Sequence, residues 1–116
     1  MWDSARPYPT PVAVVIVDAE NVRRSQWPNL SREELVERAR RWASRENHEL
    51  LIVFDGEPPE RAPDLLASDN ADDAIVGLAA SLDDPWWLVS SDRGLRDRLG
   101  DRPARILGGG SFVRAI

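Results

Sequence analysis

An α/β fold, with a central mostly parallel sheet and helices on both faces, is predicted by three features of this 116-residue sequence. Apolar runs of strand length alternate with stretches of helical periodicity, the signature of strand–helix–strand units. Val12–Val17, the longest run, is continuous and rich in β-branched residues, as strands buried on both faces are. The runs break off at polar groups, Asp18, Asp55 and the trio Ser90, Ser91 and Asp92, where connections must leave the sheet.

Residues 1–11, MWDSARPYPTP, contain Pro7, Pro9 and Pro11 and read as an extended arm, leaving 12–116 as one domain. Val12–Val17 is the first strand. SREELVERARRWASREN follows as a helix, with Ser31 and Glu34 as a capping box and Leu35, Ala39, Trp42 and Ala43 as its apolar stripe. ELLIVF is the second strand, ended by the turn pair Asp55-Gly56. After the proline-rich GEPPERAP, DLLAS reads as a short edge strand. ADDAIVGLAASL is a second helix, capped by Asn70, with Ala71, Ile75, Leu78, Ala79 and Leu82 on one face. WWLVSS is another buried strand, RGLRDRL a short helix stopped by Gly100, and ARIL the last strand. GGGSFVRAI then falls on the edge where the acids lie, and its backbone amides are placed to approach a ligand.

Composition excludes several chemistries. There is no cysteine, so disulfides, thiolate metal sites and cysteine nucleophiles are ruled out, and a reducing compartment suits the chain. All fifteen basic residues are arginine. Without lysine there is no phosphate-loop lysine, no Schiff base and no lysine partner for a phosphorylated aspartate, which disfavours receiver domains and dehalogenase-like phosphatases. No apolar run approaches the roughly 20 residues that span a bilayer, and the first residues lack a signal-like pattern. A soluble cytoplasmic protein without membrane contact is expected. The net charge of −5 argues against a general nucleic-acid coat protein.

The acids gather where ligands bind in such folds, at the carboxyl ends of the strands. Asp18 ends the first strand, Asp55 the second, and Asp92 follows WWLVSS, while Asp72 and Asp73 open the intervening helix. Each has a structural reading when taken alone: Asp18 and Asp92 as helix caps, Asp55 as a turn residue, Asp72 and Asp73 as partners of a helix dipole. Together, with no lysine to neutralise them, they point to a bound cation, and oxygen donors favour Mg²⁺ or Mn²⁺ over zinc. Ser90 and Ser91 are placed to orient a carboxylate. His48, distant from this edge, is assigned no function. The alternation of Trp86 and Trp87 across a strand predicts core burial, whereas Trp27, beside Pro28 in a loop, is open to stacking on bases.

VDAENVRR, ADDAIVGLAA and LVSSDRGLRDRL resemble, in order and spacing, the motifs of NYN domains in the PIN-like ribonuclease superfamily, most closely its YacP-like branch. The resemblance covers nearly the whole chain from Val12. It implies a three-layer α/β/α fold whose acids hold one or two divalent cations for phosphodiester cleavage. By it Asp18, Asp72, Asp73 and Asp92 match the metal-binding acids and Asn21 the asparagine of the first motif; Asp55, Ser90 and Ser91, by their own places at the strand ends, are candidates to support them. Ala19 stands where the family often has glycine, and Glu20 is an additional acid expected to face solvent. Arg23, Arg24, Arg93 and Arg96 flank the motifs and are candidates for phosphate contacts to single-stranded RNA. The alternative is an RNA- or ribosome-associated binding module of the same fold that turns over slowly or not at all.

Overall fold

The computed structural model describes residues 11–116, so the arm assigned to residues 1–11 lies outside the described residues except for Pro11. The elements run β1 (Val14–Asp18), α1 (Ala19–Arg23), α2 (Arg32–Glu46), β2 (Glu49–Asp55), β3 (Leu65–Ser68), α3 (Ala71–Ala80), β4 (Trp86–Val89), α4 (Arg93–Leu99), β5 (Arg105–Leu107) and α5 (Gly109–Ala115). The five strands form one sheet in the order β3-β2-β1-β4-β5, and every pairing is parallel. Ile16 at the middle of β1 stands opposite Leu51 on one side and Leu88 on the other. The chain therefore builds outward from β1 in one direction and then resumes on its other side, which makes the β1–β4 boundary a topological switch point.

Period-2 alternation divides the strands' side chains between two cores. Val15, Val17, Ile52, Phe54 and Val89 pack with α1, α2 and α5, where Val22, Leu35, Ala39, Trp42 and Phe112 meet them. Ile16, Val53, Trp86 and Leu88 pack on the other face with Ala71, Ile75 and Ala79 of α3 and Leu95 and Leu99 of α4. Helices thus cover both faces, as expected. Trp86 is buried and Trp87 is half-buried on the opposite face. At the amino-terminal ends of the strands His48 stacks on Trp42 at 5.0 Å and lies 4.4 Å from the Trp87 ring, a structural position.

Local signals hold where they span one helical turn. The Ser31 hydroxyl accepts from the Glu34 amide at 3.0 Å, while the Glu34 carboxylate, instead of returning to the cap, takes Arg38 at 2.9 Å. Asn70 caps α3 by accepting from the Asp73 amide at 3.0 Å. DLLAS contains the edge strand β3, as read. Gly56 has φ +87°, the left-handed conformation that a turn after Asp55 requires.

Two short helices escape the sequence pattern. Helix α1 has five residues, too few to show a period, and α5 begins with two glycines, the poorest helix formers after proline. Helix α5 forms because buried Phe112 anchors it in the core. Gly109 sits so close to α1 that a β-carbon there would lie 2.8 Å from Asn21 Oδ1. GGGSFVRAI is accordingly not an open glycine loop, and the Gly109 amide already donates to Ser91 Oγ at 2.8 Å. Among the described residues, no helix is long and apolar enough to cross a membrane.

Candidate acidic site at the switch point

Because the strands are parallel, β1, β2 and β4 end on one edge, and their carboxyl ends bring together residues far apart in sequence. A cavity of about 210 Å³ opens there, lined by Asp18, Glu20, Asn21, Arg24, Asp55, Asn70, Asp72 and Asp92. Asp18, Asp55, Asp72 and Asp92 thus share one cavity, whereas Asp73 does not line it. The Asp73 carboxylate instead pairs with Arg98 of α4 at 2.9 Å, on the surface.

Asp18 is the centre of the site. It occupies the N-cap position of α1 but makes no side-chain cap bond. Its Oδ2 instead accepts from the Ser90 hydroxyl at 2.9 Å, and Ser90 Oγ in turn accepts from the Asp92 amide at 3.1 Å. Ser90, fully buried, therefore orients the carboxylate as expected. Burial is the main cause that pushes the Asp18 pKa up to about 6; the Ser90 bond opposes it, and the charges of Asp72, Asp55 and Asp92 add to it. Asp72 also lies above the usual carboxylate range, first through burial and then through Asp92, with Arg98 pulling the other way. Among the described residues its carboxylate has no hydrogen bond or ion pair.

The other acids hold structure. Asp92 accepts from the Leu95 amide at 3.1 Å and so caps α4. Asp55 accepts from the Ala71 amide at 2.7 Å, reaching across from β2 to the start of α3. With Asn70 and Asp55 both serving that helix end, Asp72 is left facing the cavity without a capping role. Asn21 ties the loop after β4 to α1, its Oδ1 accepting from the Ser91 amide at 2.9 Å. Ser91 serves the same loop rather than the cavity.

Glu20 departs from expectation. It is buried, not solvent-facing, and lines the cavity while pairing with Arg23 at 2.6 Å and with Arg32 at 3.5 Å. Its Oε2 and the Arg32 Nε have no hydrogen-bond partner. The i,i+3 spacing of Glu20 and Arg23 is the one local sign of the first pair; nothing in the sequence signals the second. Arg23 is consequently turned inward, its Nε donating to the Leu30 carbonyl at 2.8 Å. Arg24 lines the cavity, and Arg93 and Arg96 are exposed on the helix that Asp92 caps. Asn70 also lines the cavity, a role the sequence did not signal.

The donor set, carboxylates and amide oxygens without nitrogen or sulfur, is the chemistry of Mg²⁺ or Mn²⁺. Among the described residues, however, no three acids stand close enough together to hold an ion as they are. Fold and site together define a doubly wound α/β protein with an acidic cavity at its switch point. Compared with family models, with curated proteins and with solved structures, the chain gives no match.

Proposed function

We propose that this protein is a divalent-cation-dependent ribonuclease of the NYN, PIN-like kind that hydrolyses single-stranded RNA. The observation that carries the reading is Asp18, a buried carboxylate held by Ser90, with a pKa of about 6, facing three further aspartates across the switch point. Burying a carboxylate among like charges costs stability unless a cation or proton relieves it. Asp18 and Asp72, neither of which has a capping role, are the residues to hold the cation, with Asp92 and Asp55 contributing carboxylate oxygens. When bound, such a cation supplies a water of lowered pKa and positive charge beside the scissile phosphate. Ser90 keeps the Asp18 oxygens aimed into the cavity, Asn21 fixes the wall that Asp92 follows, and Arg24 offers its guanidinium to a phosphate. The lack of cysteine fits action in the cytoplasm.

The test is hydrolysis of single-stranded RNA in Mn²⁺, with EDTA and with Asp92→Asn. Asparagine caps a helix about as well as aspartate, so the variant should fold and melt like the wild type while cleavage is lost. Cleavage that persists in EDTA, or equally in the variant, refutes the reading. A binding module of the same fold, with RNA or the ribosome as partner, is favoured by one observation, that no three acids are already drawn together. It predicts RNA retention at background cleavage.

A further inference from the structure

Among the described residues only Val12 and Trp27 are large hydrophobic side chains left exposed, and Trp27 is 88% exposed. A single exposed apolar residue needs no explanation by itself. The setting of Trp27 does. The loop that carries it is closed at its base by two bonds, the Leu30 amide to the Arg23 carbonyl at 3.2 Å and the Arg23 Nε to the Leu30 carbonyl at 2.8 Å, with Leu30 buried. Ser25 ties it again to α1, its amide donating to Val22 and its hydroxyl to the Asn21 carbonyl at 2.8 Å. The tryptophan is thus displayed on a braced loop and loses little freedom on binding.

The same loop starts at Arg24, in the wall of the acidic cavity. Three residues of chain span at most about 11 Å, so Trp27 stands within a few nucleotides of that cavity. Among the described residues the Arg24 guanidinium has no ion pair or hydrogen bond, although acids line the cavity beside it. With a net charge of −5, the protein does not draw a polyanion by its general field, and affinity must come from a few local contacts rather than from a basic surface. Stacking of an unpaired base on an exposed indole is such a contact.

Building on the ribonuclease reading, we propose that Trp27 and Arg24 form a platform for single-stranded nucleic acid at the rim of the cavity, the indole stacking on a base and the guanidinium holding a neighbouring phosphate. The platform prefers single strands to duplexes, whose bases are already stacked. Its affinity falls only gently with salt, as one or two phosphate contacts require, in contrast to the steep slope of a basic surface.

The experiment is fluorescence anisotropy with a labelled single-stranded RNA of about 12 nucleotides, within the range that single-strand binders cover, using the whole protein in EDTA and, on the Asp92→Asn background, in Mn²⁺. Trp27→Ala should weaken binding roughly 5- to 150-fold, Trp27→Phe should restore most of it, and both should melt like the wild type because the side chain is exposed. Equal affinity of wild type and Trp27→Ala overturns the platform even if RNA is still cleaved. Weaker binding by Trp27→Ala in a protein that never cleaves RNA upholds the platform and rejects the nuclease. If the wild type binds no RNA and instead self-associates through Trp27, as sedimentation of wild type and Trp27→Ala would show, the platform is overturned in favour of a protein contact.

Discussion

Replacing Asp18 with asparagine should stabilise the protein in mild alkali and leave it nearly unchanged in acid. The carboxyl's pKa rises from an ordinary 3.8 to about 6 in the fold. Stability linked to its protonated form is therefore complete below 3.8 and lost as the pH climbs through about 6. At about 1.4 kcal/mol per pH unit the effect is capped near ~3 kcal/mol, and water at the cavity mouth reduces it to about 1–2 kcal/mol. Asparagine is isosteric and keeps an oxygen to accept from Ser90, which lies 2.9 Å from Oδ2. Urea denaturation of both proteins in EDTA, at about pH 4 and about pH 8, reads the effect as the difference between the two proteins at each pH. The variant should gain about 1–2 kcal/mol at the higher pH only. A variant that is less stable than the wild type in alkali, or a difference that ignores pH, would mean that the Asp18 charge is already compensated within the fold, and the case for a cation there would collapse.

Mn²⁺ should raise the melting temperature of the wild type, by the equivalent of about 2.7 kcal/mol at a hundred times its dissociation constant, and raise that of Asp18→Asn much less; a rise matched by NaCl of equal ionic strength removes the cation. Ser90→Ala should cost about 1–3 kcal/mol in urea midpoint terms, since it leaves the Asp92 amide without its acceptor and Asp18 without its donor. Gly109→Ala should destabilise by about 1–3 kcal/mol through overpacking on Asn21 and Ser25, and pairing it with Ser25→Gly should recover part of the loss. The pKa of His48 is lowered, chiefly by burial, with Glu46 and Arg105 acting in opposite directions. Its contribution is present above about pH 6.5 and fades as the pH falls through the lowered value, so His48→Phe should flatten the acid limb of the stability curve.

Much of the fold is legible in the sequence because the interactions that write it are local. Strand and helix periods are properties of consecutive residues, and the caps at Ser31, Asn70 and Asp92 each bind an amide three residues on. Parallel strands joined by helices must end on one edge, so the gathering of Asp18, Asp55, Asp72 and Asp92 there is legible too. Helices α1 and α5 are not. They lack the length and the propensity to form alone, and only tertiary packing around Val22 and Phe112 makes them helical.

The division of labour among the acids is likewise a tertiary matter. Asp18 looks like a helix cap in the sequence, yet its partner is Ser90, 72 residues away. Asp55 looks like a turn residue and caps a helix 16 residues on. Asp73 sits beside Asp72 in the chain but is taken by Arg98, while Glu20 and Arg23 turn inward to each other. The sequence alone determined that carboxylates would meet at the switch point, because strand polarity follows from connection type. Which of them are tied into structure and which face the cavity free was decided only by the folded chain, because that depends on partners brought within 3 Å by packing rather than by neighbourhood along the backbone.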